Sequence, residues 1–352
     1  MKKTALFKVD PTNPDLKKIK IGAEIIRKGG LVAFPTETVY GLGADALNHR
    51  AVKALFKAKK RPLDNPPIIH VENYNQIQSI AKKIPDRAKI LMKEFWPGPL
   101  TLIFKRSNKM PVESTAGLDT VAIRMPNHKV ALKLIELSAC PIAAPSANLS
   151  GKPSPTSAEH VYHDLDGKID LILDAGPTSI GLESTVVNFT SIVPEVLRPG
   201  GISIEELRKV IKDIKIHPFV LADEKIVIDK ALSPGMKHKH YAPKASIILV
   251  EGSVPQIIKK IKELKKYYES KGIKVGILGT QETIKQYNSK VKKTLGSRFN
   301  LGAIAQNLFR VLREFDLENV EIIIAEGVTE EGLGLAVMNR LRKAAGYNII
   351  KT

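Results

Sequence analysis

Residues 29–43, GGLVAFPTETVYGLG, decide how the first half of this chain folds. The apolar run 31–34 has the length and bulk of a buried strand, and Pro35 ends it because a proline brings no N–H to a sheet ladder. Thr36, Glu37, Thr38 and Tyr40 then supply three hydroxyls and a carboxylate. Gly41 and Gly43 permit another group to approach the backbone closely. A polar mouth at the end of a buried strand is where open α/β sheets hold ligands, although the same residues also suit an ordinary strand and turn.

The preceding residues DLKKIKIGAEIIRKGG place Leu16, Ile19, Ala23 and Ile26 on one helical face, with Gly29 and Gly30 as the stop. Downstream, 48–59 predicts a helix with Val52, Leu55 and Phe56 inward. Lys57, Lys59, Lys60 and Arg61 gather where it ends, before Pro62, Pro66 and Pro67 enforce an extended loop and a short strand at 68–71. Such a cationic run suits a solvated face or a polyphosphate. A helix end and a stiff loop that fix its direction favour the second. Further strands are expected at 100–104, preceded by Trp96 as a core residue or turn anchor, and near 120–124. Arg124 falls at the end of the latter and needs an anionic partner, either a neighbouring carboxylate or a ligand's. The segment PIAAPSANLSGKPSPTSAEHV, 141–161, repeats the pattern of an apolar strand closed by proline. Its loop carries Ser146, Asn148, Ser150 and Ser154, and Thr156 or Ser157 caps the next helix. Glu183, Ser184 and Arg198 are polar groups expected to face inward from the short strands that follow.

The 352 residues divide into an N-terminal domain, 1–216, a proline-rich connector, 217–245, and a C-terminal domain, 246–352. The fold class is α/β. Short strands with mixed connections make the first domain α+β on a twisted mixed sheet, and regular alternation of strands and helices makes the second a smaller Rossmann-like parallel α/β domain. The connector contains SPGMKHKHYAP and reads as a lid laid over a bound anion. His238 and His240 lack a third ligand at metal-site spacing, so no protein-held metal is expected.

A net charge of +19 points to anionic ligands, and 5% aromatics argue against a base-stacking nucleic-acid binder. The single cysteine, Cys140, lies among apolar residues and reads as an inert core thiol in a reducing compartment. The N-terminus has no apolar run of signal-peptide length and nothing later is long enough to span a membrane, so a cytoplasmic location is expected.

The motifs FPTETVYGLG, KKRP, WPGPLTLIF, DTVAIRMPNH, APSANLSGKPSPT, STVV and LRPG, in that order across about residues 20–205, resemble the YrdC-like threonylcarbamoyl-AMP synthase family. The connector and second domain resemble its longer, two-domain branch. The resemblance implies that L-threonine, bicarbonate and ATP give threonylcarbamoyl-AMP and pyrophosphate. This is the first step of N6-threonylcarbamoyladenosine formation at position 37 of tRNAs that read codons beginning with A. It implies Mg²⁺ with ATP as cofactor, held mainly through the phosphates. It also implies a downstream threonylcarbamoyl transferase complex as partner, and a basic surface open to tRNA. The family's K-x-R and S-x-N signatures fall on Lys59, Arg61, Ser146 and Asn148, implied as catalytic. Thr36, His70, Arg124 and Ser184 match threonine-binding positions. Lys59, Arg61, Thr120, Ala144, Ser146, Ser154, Arg198 and Tyr241 match ATP-binding positions. Two other functions stay open: a double-stranded RNA-binding module, and a different carbamoyl-adenylate-forming enzyme on the same domain.

Overall fold

The computed structural model describes residues 3–224 and 241–352, and the chain forms two units. The tract 225–240, which holds SPGMKHKH with His238 and His240, lies outside the described residues. So does most of the lid expected there.

In the first unit the strands are β1 (Ala5–Lys8), β2 (Val32–Phe34), β3 (Gly41–Asp45), β4 (Ile68–His70), β5 (Leu100–Lys105), β6 (Thr120–Arg124), β7 (Ile142–Ala143), β8 (Leu171–Asp174), β9 (Thr185–Asn188), β10 (Glu195–Arg198) and β11 (Lys215–Ile216). They form one mixed sheet in the order β1-β8-β2-β3-β7-β4-β6-β5-β9-β10-β11. It contains both parallel pairs, such as β4 with β6, and antiparallel ones, such as β2 with β3. This is the mixed sheet expected from the short, irregularly connected strands. The helices Leu16–Arg27 and Lys129–Ser138 cover part of it, burying Ile19, Ala23, Ile26, Val130, Leu134 and Ile135 against Val32, Phe34, Ile142 and Leu171. Leu16 was expected inward but is 55% exposed, because it begins the helix directly after the Asp15 cap, ahead of the turns that meet the sheet. Cys140 is buried in this core, and burial pushes its thiol pKa up, as suits an inert side chain. Trp96 is a turn anchor, donating from Nε1 to Leu100 O at 2.7 Å.

Gly41 and Gly43 serve a different purpose from the one their sequence suggested. They belong to β3, and what approaches them is the chain itself. A Cβ on Gly43 would meet Phe34 Cε1 and Ile142 Cγ2 at 2.9 Å each, and one on Gly41 would meet Ala144 Cβ at 3.3 Å. Gly43→Ala is therefore expected to lower stability by about 1–3 kcal/mol through overpacking. A thermal unfolding midpoint equal to that of the unsubstituted protein would contradict this packing.

The described part of the second unit comprises residues 151–153, 221–224 and 241–352. Its strands β12 (Ser246–Glu251), β13 (Val275–Gly279), β14 (Val291–Thr294), β15 (Ile322–Glu326) and β16 (Ile349–Lys351) pair in parallel in the order β14-β13-β15-β12-β16. Val250, Ile257, Ile261, Ile277 and Ile324 form a core between this sheet and the helix Val254–Glu269. That is the parallel α/β arrangement the alternating sequence predicted. Residues 217–220, read as connector, instead stay with the first unit. Pro218–Leu221 makes a short helical turn whose Phe219 and Val220 are buried.

Candidate active site

The helix His49–Lys59 begins on Asn48, whose side chain accepts from the N–H groups of Arg50 and Ala51, and stops where Lys60 turns into the left-handed region at φ 52°. That stop fixes Lys59 and Arg61 on opposite sides of a tight corner. Lys59 is 1% exposed, and its ammonium donates to the carbonyls of Ser146 and Asn148. In return, Ser150 N donates to Lys59 O at 3.0 Å. Arg61 turns into the proline loop, where Nε donates to Asn65 O and Nη2 to Asn65 Oδ1 and Pro66 O, each at 2.9 Å. The K-x-R signature thus has two tasks here. Lys59 pins the S-x-N loop and Arg61 braces the loop that leads into β4.

The S-x-N residues are bonded to each other, with Ser146 Oγ donating to Asn148 Oδ1 at 2.6 Å and Asn148 Nδ2 to Leu149 O at 2.8 Å. This loop joins the polar stretch after β2, since Ala147 N donates to Tyr40 O at 2.8 Å and Tyr40 N to Pro155 O at 2.9 Å. Thr36 closes its own turn by donating to Val39 O at 2.7 Å, and its Oγ1 lies 2.8 Å from that of Thr38. Residues 180–181 complete the frame, with Ile180 N donating to Glu37 O and Gly181 N to Thr38 O. Tyr40, by contrast, is a structural group, donating from its hydroxyl to Gly176 O at 2.7 Å.

Arg124, at the end of β6, is 3% exposed. Its Nε donates to Gly98 O at 3.1 Å and Nη1 to Thr38 Oγ1 at 2.8 Å, while Nη2 lies 2.6 Å from Glu37 Oε1. The anionic partner demanded by an arginine in a buried strand is therefore a neighbouring carboxylate in this structure. His70 sits beside Arg124 in the β4–β6 register. Burial, reinforced by the Arg124 charge, lowers its pKa to about 3. An imidazole that stays neutral in the fold, but charges near its ordinary value of 6.5 when unfolded, withholds a proton that the unfolded chain binds. Stability is then lost as pH falls from about 6.5 towards about 3. Unfolding midpoints measured between pH 7.5 and 4.5 should fall less steeply for His70→Gln than for the unsubstituted protein, and equal slopes would contradict a neutral His70.

Ser184 and Arg198 meet at a third corner. Arg198 donates from Nε and Nη2 to Ser184 O at 3.1 and 2.9 Å, and Ser184 Oγ is 2.7 Å from Thr101 Oγ1. Ser154 Oγ donates to Glu183 Oε1 at 2.5 Å. Ala144 gives its N–H to Ile68 O and so belongs to the sheet ladder. Thr120 opens β6, opposite Lys105 and at the other end of the strand from Arg124, so it does not join the Arg124 group. Tyr241 lies in the second unit, stacked on Phe309 with ring centroids 5.1 Å apart and with the Arg340 guanidinium 5.6 Å from its ring centroid. Three contributors lacked a role at the sequence level: Glu37, Thr38 and Asn65. The signal for the first two was present, since both directly follow Thr36 in the same polar stretch. Asn65 was masked by the prolines around it.

A family model described as telomere recombination matches residues 24–200, and one described as the threonylcarbamoyl-AMP synthase C-terminal domain matches residues 202–346. A threonylcarbamoyl-AMP synthase of Pyrococcus abyssi is 55% identical over 334 residues, spanning 95% of this chain and 96% of its own. The chain belongs to the threonylcarbamoyl-AMP synthase family. Another synthase, from Bacillus subtilis, is 49% identical over 335 residues, covering 95% and 94% of the two chains. The crystal structure of P. abyssi Sua5 complexed with L-threonine matches with a TM-score of 0.94 at 53% identity, over 99% of this chain and 100% of that one. The synthase family read from the ordered motifs is thus borne out over the full length, as is its two-domain branch.

Proposed function

We propose that this chain is the L-threonylcarbamoyladenylate synthase of its cell, joining L-threonine, bicarbonate and ATP into threonylcarbamoyl-AMP and pyrophosphate. It performs the first step of N6-threonylcarbamoyladenosine formation at position 37 of tRNAs reading codons that begin with A. The observation that carries this reading is the hydrogen-bonded assembly of three distant segments within one unit of a chain that belongs to the synthase family: Lys59 at its helix end, the Ser146–Asn148 loop, and the Thr36–Thr38 turn with Arg124.

The chemistry explains why such an assembly is cationic and rigid. Threonine's ammonium sheds one proton to solvent, and the amine attacks the bicarbonate carbon to give a carbamate and water. A carbamate oxygen then attacks the α-phosphorus of ATP, and pyrophosphate leaves. Nucleophile and target are both anionic, so the site must offset charge, align the reactants and keep water from hydrolysing the mixed anhydride. In this reading Lys59 and Arg61 face the triphosphate, and Ser146 and Asn148 are neutral donors to phosphate or carbamate oxygens. Ser154, Arg198, Thr120 and Ala144 contribute on the nucleotide side. Arg124, Thr36, His70 and Ser184 form the threonine side. Among the described residues no group of three or more His, Cys, Asp or Glu side chains could hold a metal. ATP would bring its own Mg²⁺, which offsets phosphate charge. Among the described residues no helix is long and apolar enough to cross a membrane. We place the protein in the cytoplasm, handing its product to a threonylcarbamoyl transferase complex, with its basic surface available to tRNA. Mass spectrometry of the product formed from ¹³C-bicarbonate tests the reading, which requires the label in threonylcarbamoyl-AMP. A product with unlabelled carbonyl carbon, or threonyl-AMP in its place, would overturn it.

A further inference from the structure

Glu37 is a buried charge that the assignments above leave without a task. Its side chain is 8% exposed and faces the 4% exposed guanidinium of Arg124 at 2.6 Å. Among the described residues neither Glu37 oxygen has a hydrogen-bond partner, and Nη2 of Arg124 has none either, so the contact is an ion pair that misses hydrogen-bond alignment. A buried carboxylate is ordinarily compensated by donors to its lone pairs as well as by a counter-charge, and this one has only the counter-charge. The loop, and not the carboxylate, fixes its position. Glu37 O accepts from Ile180 N at 2.8 Å and from Ser179 Oγ at 3.3 Å. Arg124 is held from behind by Gly98 O and Thr38 Oγ1. The other titratable groups around the pair are His70, in register with Arg124, and His128, at the start of the helix Lys129–Ser138. Burial lowers the pKa of both imidazoles, so at neutral pH neither supplies the missing positive charge.

An α-amino acid carries its ammonium and carboxylate on one carbon, side by side, and Arg124 and Glu37 present the opposite charges side by side. Resting on the threonine-activating function proposed above, we propose that the pair is a two-charge receptor for the amino-acid zwitterion, with Arg124 taking the carboxylate and Glu37 the α-ammonium. The three N–H donors of an ammonium satisfy the lone pairs of Glu37 that the fold leaves unfilled, with charge-assisted bonds. Anchoring the ammonium fixes the nitrogen that must next meet bicarbonate. It also lets the site reject hydroxy acids, because a ligand without the ammonium leaves the carboxylate buried and unpaired.

Calorimetric titration of the full-length protein with L-threonine and with 3-hydroxybutanoate, which has hydrogen in place of the ammonium, tests this. The unsubstituted protein should bind threonine on the order of 10²-fold more tightly or better. Glu37→Gln should weaken threonine by at least about tenfold, leave 3-hydroxybutanoate unweakened and keep its affinity for ATP, so that the preference collapses. Equal threonine affinity in Glu37→Gln, or equal loss of both ligands, would overturn the receptor alone. Absence of preference in the unsubstituted protein would overturn it without recourse to any variant. A protein that binds ATP but not threonine would overturn the proposed function as well.

Discussion

Lys59→Met is expected to cut the rate of threonylcarbamoyl-AMP formation by on the order of 10³-fold. Methionine replaces the apolar stem of the side chain and is one atom shorter, so what is removed is chiefly the charge and its donors. Two losses combine. An anionic transition state loses a cation, and an electrostatic contact of this kind is worth on the order of 10² to 10³ in rate. The carbonyls of Ser146 and Asn148 also lose the ammonium that ties them to the helix end, which frees the S-x-N loop. A buried acceptor left unsatisfied costs about 1–3 kcal/mol, so the thermal midpoint should fall with the rate. Lys59→Arg should not restore activity, because a planar fork cannot reproduce two bonds from a compact ammonium. Single-turnover kinetics at saturating ATP separate the effects. A rate constant within threefold of the unsubstituted protein would remove Lys59 from the chemistry.

Arg124→Met should have the largest effect on stability, and here the direction of the penalty is distinctive. Removing one member of a buried ion pair leaves the other charge uncompensated and typically costs about 3–5 kcal/mol. Glu37 would be that charge, within a structure that gives it no other donor among the described residues. Adding Glu37→Met to Arg124→Met should therefore recover most of the lost stability, since an apolar pair of similar volume is often neutral or better. It should recover none of the threonine binding. Denaturant unfolding of the two single variants and the double variant closes the cycle. Additive losses would show that the two side chains do not interact in solution.

Much of the fold was legible because its elements carry strong local signals. Asn48 before an apolar helical face and a glycine pair after 15–28 set helix boundaries, and the β-branched runs at 120–124 and 322–326 read as strands at once. β3 was not legible. Its two glycines weaken any strand signal, and the close approach of Phe34, Ile142 and Ala144 shows why side chains are absent there. β1 and β16 are short, and their identity comes from parallel partners far away in sequence. At the site, a cation at a helix end and a Ser/Asn loop after a strand were readable as separate features. Their direct union through Lys59 was not, because no spacing rule links residues 59 and 146. Arg124 announced its need for an anion, but which anion depended on the path of the loop after Pro35. That loop carries Glu37 and Thr38 to it.

If one site joins threonine, bicarbonate and ATP, pyrophosphate release must depend on all three. With purified protein and ATP, release should require L-threonine and bicarbonate together, and the other nineteen amino acids should not substitute for threonine. Pyrophosphate released at the same rate without bicarbonate, or with any amino acid, would contradict the account.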